Sequence, residues 1–94
     1  MKPTFEWDEE KAKASLRNHK VSFEEAETVF DDLLCITIPD PDHSKSERRF
    51  VDIGQSENGR IIVVSYTQRE RATRLISARP ATRSERHKYE EENA

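Results

Sequence analysis

The chain is poor in the residues on which several common kinds of site depend. Of its 94 residues one is cysteine, Cys35, and two are glycine, Gly54 and Gly59. A single cysteine excludes an intramolecular disulfide, and two separated glycines exclude the glycine-rich loop that holds nucleotide phosphates. The histidines are far apart, and no Cys or His pair has the spacing of a zinc site. The sequence therefore predicts neither a metal nor a cofactor.

Long hydrophobic runs are also missing. The most apolar segments, 61–66 and 75–76, are far shorter than the roughly 18 residues of a membrane span. The first ten residues, MKPTFEWDEE, lack the apolar region of a signal peptide, so we expect a cytoplasmic protein. These runs are still enough for one small core. We predict a single domain over residues 1–90 and a frayed acidic tail over residues 91–94.

Charge is distributed unevenly along the chain. Residues 1–59 carry 8 Lys and Arg against 14 Asp and Glu, a net charge of −6, whereas residues 60–88 carry 8 against 2, a net charge of +6. Three glutamates at 90–92 bring the total to −3. The basic segment is a candidate surface for phosphate or for an acidic protein partner. The alternative is a set of solvated arginines that keep the chain soluble.

The first half of the sequence predicts a strand, two helices and a second strand. A short strand over 4–7 precedes a helix over 9–19, for which Asp8 is the expected N-cap. Ser22 and Glu25 have the spacing of a capping box at the start of a second helix. Aliphatic residues over 33–38 then predict a strand that Pro39 stops.

The second half predicts three strands and a final helix. Strands over 48–54 and 60–67 are joined by a tight turn at Asn58 and Gly59, and a last strand over 73–78 ends at Pro80. Thr82 and Glu85 form a second capping box, which starts a helix through about residue 90. The order predicts an α+β fold: a small antiparallel sheet of about four strands, two N-terminal helices and one C-terminal helix. We expect the helices on one face and a partly open, basic second face that accepts RNA.

Metal-free cleavage of a phosphodiester is the chemistry that these residues allow. The reaction needs a base for the ribose 2′-hydroxyl, cations for the charge on phosphorus and an acid for the leaving oxygen. Arg69 and Arg79 each follow a predicted strand, from which a guanidinium reaches into a cleft. The alternative for each is an ion pair, with Glu70 or with Glu85.

Several side chains qualify for proton transfer by type alone. The alternative for Glu85 is a capping role, and the alternative for Tyr66 is a position in the core. For the two candidates on the last helix, His87 and Tyr89, the alternative is that they only face solvent. The candidates are Tyr66, His43, Glu85, His87 and Tyr89. Arginines expected to make further RNA contacts are Arg71, Arg74 and Arg83.

Four segments carry a resemblance to a known family. FEWDEEKAKASLRNHKVSFEEAETVFDD, IPDPDHS, RFVDIGQSENGR and RLISARPATRSERHKYEE, spread over residues 5–91, resemble the BrnT family of toxins. The resemblance implies a RelE-like ribonuclease fold and a type II toxin that cleaves RNA without a metal and halts translation. It also implies a hetero-oligomer with a BrnA-like antitoxin, which neutralises the toxin and supplies the binding to operator DNA. The arginines that it favours are Arg69, or its neighbour Arg71, and Arg79.

One position departs from the family pattern. Family members carry glycine after the histidine of the first inter-helix turn, where this chain has Lys20 after His19. Two alternatives follow: Lys20 adopts a left-handed backbone at a cost of roughly 1 kcal/mol, or the turn differs from that of the family. The alternative function is a non-catalytic module with the same fold, which binds RNA, or which binds an antitoxin laid across the basic face.

Overall fold

Five strands and three α-helices make up the computed structural model, which describes residues 4–40 and 48–94. The strands are β1 (Phe5–Trp7), β2 (Ile36–Asp40), β3 (Arg49–Gln55), β4 (Ile61–Gln68) and β5 (Thr73–Pro80). The helices are α1 (Glu9–His19), α2 (Phe23–Thr28), which continues into a 3₁₀ turn at Val29–Asp31, and α3 (Arg83–Glu92).

The strands form one sheet in the order β1-β5-β4-β3-β2. β2 to β5 are antiparallel neighbours, and β1 adds to the outer edge of β5 in parallel. The predicted α+β class is confirmed, and the short N-terminal strand brings the sheet to five strands. No helix in the described ranges is long and apolar enough to cross a membrane.

Local signals account for the first two helices. The Asp8 carboxylate accepts hydrogen bonds from the backbone N–H of Glu10 and Lys11, at 2.8 and 3.3 Å, and fixes the start of α1. Lys20 ends α1 in the left-handed conformation, with φ of 59°, which is the first of the two alternatives predicted for this position. Ser22 caps α2 by accepting from the backbone N–H of Glu25 at 3.0 Å.

The predicted strand over 33–38 was wrong at its first residues. Leu33 and Leu34 are 98% and 54% exposed, and Asp32 holds them in a turn because its carboxylate accepts from the N–H of Leu34 at 2.9 Å. The strand begins at Ile36 and runs through Pro39 instead of stopping there. β2 lies at an edge of the sheet, where a proline costs no ladder hydrogen bond.

The two faces of the sheet bury different clusters. On one face, α1, α2 and the residues around them pack Val21, Phe23, Ala26 and Val29 against the sheet residues Ile62, Val64, Tyr66, Leu75 and Ala78. On the other face, α3 packs Tyr89 against Ile53 and Val63. The prediction that all helices share one face was therefore wrong. The consecutive apolar residues 61–64 alternate between the faces, so both faces of β4 need cover.

The end of α3 is tied to the rest of the fold. The Tyr89 hydroxyl donates to Asp32 Oδ2 at 2.6 Å, and the Asn93 side-chain amide donates to the Leu34 carbonyl at 3.1 Å. The helix continues through Glu92, two residues beyond its predicted end. The division into a domain over 1–90 and a tail over 91–94 stays a prediction.

Candidate nucleic-acid interface

On the face that carries α3, the helix covers only one end of the sheet. Cross-strand partners share a face, so the register places Val51, Ser65 and Ser77 in one row at the border of the α3 cluster, against which Val51 packs. The next row contains Arg49, Thr67 and Arg74. We call these two rows the open face; Ser77 is exposed, and Arg49 and Arg74 are half-buried.

Arg79 lies on β5 beside Val63, where α3 meets the open face. Its guanidinium forms a two-pronged pair with Glu85: Nη1 donates to Oε1 at 2.7 Å and Nη2 to Oε2 at 2.8 Å. Glu85 Oε1 also accepts from the backbone N–H of Thr82 at 2.9 Å, and Thr82 Oγ1 accepts in turn from the N–H of Glu85 at 3.2 Å. The predicted capping box is thus present, and it positions the carboxylate that holds Arg79.

Each member of this pair stabilises the charged form of the other. Hydrogen bonds from Arg79 are the main reason why the pKa of Glu85 falls to about 2, and the same bonds raise the pKa of Arg79. A third Arg79 contact donates from Nη1 to the Pro80 carbonyl at 3.3 Å. A guanidinium carries five N–H donors, and these contacts use three of them. The other two have no hydrogen-bond partner among the described residues. With 41% of its side chain exposed, Arg79 can present them to an anion.

Arg69 and Arg71 lie in the turn between β4 and β5, away from Arg79. The backbone N–H of Arg69 donates to the Ala72 carbonyl at 2.8 Å, and its Nε lies 3.7 Å from Glu6 Oε1. Arg69 follows the end of β4, six residues beyond Val63, the partner of Arg79. Six residues of strand span about 20 Å. The structure does not bring Arg69 and Arg79 to a common phosphate.

The two other arginines predicted to contact RNA lie in different places. Arg74 is on the open face, and its Nη1 lies 4.0 Å from Glu6 Oε2. Arg83 is the first residue of α3 and is exposed, near Ser84 and His87 in a shallow depression on the outer side of the helix. Arg74 therefore lies on the same face of the sheet as Arg79, whereas Arg83 lies on α3.

Tyr66 lies on the opposite face of the sheet from the arginines. Its ring contacts Phe30 and Phe50, at centroid distances of 5.0 and 5.7 Å, and its hydroxyl donates to Asp52 Oδ1 at 2.8 Å. Burial, together with the Asp52 carboxylate, raises the pKa of Tyr66. Tyr66 is 7% exposed and belongs to the cluster under α1 and α2, on the face away from Arg79, which fits the core alternative.

The remaining candidates for proton transfer are spread over the molecule. His43 lies outside the described residues. His87 pairs through Nδ1 with Glu91 Oε1 at 3.0 Å on the exposed side of α3. Burial and the bond to Asp32 raise the pKa of Tyr89 to about 12. Of the predicted candidates that the structure describes, only Glu85 contacts a predicted phosphate-binding arginine.

Two residues of the open face were not predicted from the sequence as part of the site. Neither Arg49 nor Thr67 was among the predicted site residues, although Arg49 is the first residue of the segment RFVDIGQSENGR. The signal was the two-residue period of a strand: Phe50 and Tyr66 point into the α1–α2 cluster, so their neighbours Arg49 and Thr67 point to the opposite face. Assigning each strand residue to a face would have placed them beside Arg74.

The donor groups in the described ranges do not assemble into a metal site, since no cluster of three or more His, Cys, Asp or Glu occurs there. Cys35 is half-buried, with Sγ 3.3 Å from Asp52 Oδ2. Burial is the main cause that raises the pKa of the Cys35 thiol. A thiol held protonated is a poor nucleophile.

Comparison with known families gives this arrangement its context. The family model described as "Ribonuclease toxin, BrnT, of type II toxin-antitoxin system" matches residues 7–85. This chain belongs to the BrnT family. The crystal structure of the Brucella abortus ribonuclease toxin BrnT superimposes with a TM-score of 0.63 at 24% identity, over 86% of this chain and 99% of that one. A search of curated proteins found no match.

Membership confirms the resemblance in the sequence and fixes the class of activity. The BrnT family is a family of ribonuclease toxins in type II toxin–antitoxin systems, so an RNA substrate and an antitoxin partner follow from it. The likeness to the Brucella toxin supports the fold. The open face and the Arg79–Glu85 pair are the features of this chain to which that activity can be related.

Proposed function

We propose that this BrnT-family protein is a metal-independent endoribonuclease that acts in the cytoplasm and halts translation. A BrnA-like antitoxin would neutralise it in a hetero-oligomer and supply the binding to operator DNA. The observation that carries the proposal is Arg79, held by two hydrogen bonds to Glu85 at the border of the open face, with donors left for a phosphate.

Arg79 supplies the positive charge that the reaction needs. As the 2′-oxygen attacks phosphorus, negative charge grows on the non-bridging oxygens, and a fixed guanidinium stabilises it without having to reorganise. Glu85 orients the guanidinium from behind, and the capping box holds Glu85 in place. A cation that is already oriented can do the electrostatic work that a metal does in other nucleases.

The groups that transfer protons are a separate part of the proposal. With a pKa of about 2, Glu85 is ionised near neutral pH, so it can accept a proton but has none to donate. We therefore propose orientation as its main role and keep His43 and Tyr66 as candidates for proton transfer. The exposed arginines Arg69, Arg71 and Arg83 are proposed as contacts to more distant parts of an RNA substrate.

Cleavage by the purified protein tests the activity. A labelled oligoribonucleotide is incubated with excess chelator, and rates are compared for the parent chain, Arg79→Ala and the control Arg17→Ala, which removes an exposed arginine from α1. We expect cleavage in chelator, a loss of about 100-fold in Arg79→Ala and no loss in Arg17→Ala. Cleavage that stops in chelator and returns with a divalent cation would contradict metal independence.

Induction in a bacterial host tests the toxic role. The parent chain should arrest growth with loss of RNA integrity, and Arg69→Ala/Arg79→Ala should permit growth at equal levels of folded protein. Full toxicity of that folded double variant would contradict the assignment of these arginines.

The alternative is a non-catalytic module that binds RNA or an antitoxin through the same face. The number of arginines on or near the open face favours this alternative. Contacts to phosphate alone give binding that weakens steeply with salt. Salt-dependent binding of RNA that stays intact would support this alternative.

A further inference from the structure

The end of the open face farthest from α3 contains a row of cationic and hydroxyl side chains. Arg49 on β3 and Arg74 on β5 are the register partners of Thr67 on β4. Neighbouring strands lie about 4.8 Å apart, so the two arginines flank the threonine on the same face. On the outer strand β1, Glu6 is the register partner of Arg74.

Thr67 is the anomaly in this row. Its side chain is fully buried, and Oγ1 is the one buried side-chain oxygen or nitrogen in the described ranges without a hydrogen-bond partner. A buried hydroxyl without a partner destabilises the fold, and native proteins keep few such groups. Valine would fill a similar space without this cost. A ligand oxygen that accepts from the hydroxyl would account for the threonine.

The ion pair of Arg74, beside Thr67, is a loose one. The Glu6 carboxylate Oε2 lies 4.0 Å from Arg74 Nη1, beyond hydrogen-bond length. Arg79, in contrast, is held by Glu85 at 2.7 and 2.8 Å. A phosphate can therefore replace Glu6 at Arg74 more readily than it can replace Glu85 at Arg79. Arg49 and Arg74 flank Thr67 in the register, and rotation of these flexible side chains would give an anion access to the buried hydroxyl.

We propose that Arg49, Thr67 and Arg74 form a second phosphate subsite, distinct from Arg79, which binds the backbone of single-stranded RNA. The proposal rests on the proposed function only in taking RNA as the ligand. Thr67 lies four residues along β4 from Val63, the partner of Arg79, and that is a distance of about 13 Å. One RNA strand laid across the open face would place different phosphates in the two subsites.

Binding to an uncleavable RNA tests the subsite. The probe is a fluorescent 2′-O-methyl oligoribonucleotide of about ten nucleotides, a length that one small domain can cover. Its attacking hydroxyl is blocked, so anisotropy reports affinity alone. In Arg49→Ala/Arg74→Ala we expect affinity to fall roughly tenfold or more, and the slope of log K against log salt to fall by about 1 to 2. Arg17→Ala, on α1, should change neither.

Two single variants test the hydroxyl and the competing carboxylate. Thr67→Val should weaken RNA binding while the midpoint of thermal unfolding holds or rises, because an unpartnered hydroxyl is removed. A lower midpoint with unchanged RNA affinity would instead show a structural threonine and overturn its assignment. Glu6→Gln should tighten binding, since it removes the anion that competes with phosphate at Arg74.

The outcomes separate this subsite from the proposed function. Unchanged affinity and salt slope in Arg49→Ala/Arg74→Ala would overturn the subsite even if the parent chain cleaves RNA. Loss of affinity in that variant would support the subsite even if the parent chain cleaves nothing. Binding of an oligo-glutamate peptide through Arg49 and Arg74, with no binding of RNA, would overturn it in favour of an acidic protein partner.

Discussion

Two arginine–glutamate pairs in this protein use the same chemistry for different purposes. Arg60 Nε donates to Glu25 Oε2 at 3.0 Å and its Nη2 pairs with Oε1, much as Arg79 holds Glu85 through both carboxylate oxygens. Hydrogen bonds from the arginine are the main cause that lowers the pKa of each carboxyl. The hydrogen-bonding pattern alone therefore does not distinguish a structural pair from a functional one.

The surroundings of the two pairs differ. Glu25 is buried, accepts from Ser56 Oγ at 2.7 Å and draws Arg60 against the Lys20 carbonyl at 2.9 Å, so the pair joins α2, the end of α1 and the β3–β4 turn. Glu85 lies in an exposed capping box, and its partner Arg79 borders the open face. The first pair joins three parts of the fold, whereas the second leaves 41% of the Arg79 side chain exposed, which fits the role that we propose for it.

The largest effect should come from breaking the Arg60–Glu25 pair. Arg60→Ala leaves a buried carboxylate without its cation, so we expect a loss of about 3 kcal/mol in the free energy of unfolding. RNA cleavage per folded molecule should stay at the parent rate. Urea titration and a cleavage assay on the folded fraction measure the two quantities. A stable but inactive Arg60→Ala would contradict a purely structural role.

Arg79→Lys should show the reverse pattern. Lysine keeps the charge but loses the planar fork that pairs with Glu85 and presents two further donors. We expect the cleavage rate to fall about 10- to 100-fold, with at most about 1 kcal/mol lost in stability. Single-turnover cleavage and urea titration provide the comparison. Equal activity of the lysine variant would show that a point charge is sufficient.

Tyr66→Phe tests a residue on the covered face. Removing the hydroxyl leaves the buried Asp52 carboxylate without one donor, so we expect a loss of roughly 1 to 2 kcal/mol in stability. If Tyr66 is structural, the folded variant cleaves RNA at the parent rate. A selective loss of cleavage, with the stability change as expected, would support Tyr66 in proton transfer.

A smaller effect should appear as acid sensitivity at the Arg79–Glu85 pair. The pKa of Glu85 is about 2 in the folded state, below its ordinary value of 4.5. The stability that the ionised carboxylate contributes is therefore complete above pH 4.5 and is lost as pH falls toward 2. Arg79, the partner of Glu85, is half-exposed and screened by solvent, so we expect the pair to contribute roughly 1 kcal/mol to the free energy of unfolding. In Glu85→Gln the stability difference from the parent chain should shrink over this window. A constant difference would contradict an ionised Glu85 in the pair.

Much of the fold was predictable because its signals are local. Asp8, the capping box of Thr82 with Glu85 and the turn at Gly59, where φ is 83°, each act within a few residues. The errors involved contacts between distant segments. Asp32 ends the 3₁₀ turn and delays β2, and α3 covers the second face, neither of which follows from a local pattern.

The site was less predictable for the same reason. The prediction that Arg69 follows a strand is confirmed, but Arg79 lies within β5, because that strand continues through Pro80 instead of ending at residue 78. Only the register shows that the two arginines lie about 20 Å apart along β4. Arg49 and Thr67 gain their significance from neighbours on β3, β4 and β5 that are far apart in sequence. Glu25 has the spacing of a capping residue, yet its carboxylate binds Arg60, which is 35 residues away.

Mapping RNA contacts by NMR tests the central claim that one face of the sheet carries the function. Amide shifts of the labelled protein are followed during titration with the 2′-O-methyl oligoribonucleotide. The largest changes should fall on five residues of the open face and its border, with little change along α1 and α2: Arg49, Ser65, Thr67, Ser77 and Arg79. Changes concentrated on α1 and α2, with a silent open face, would contradict the claim.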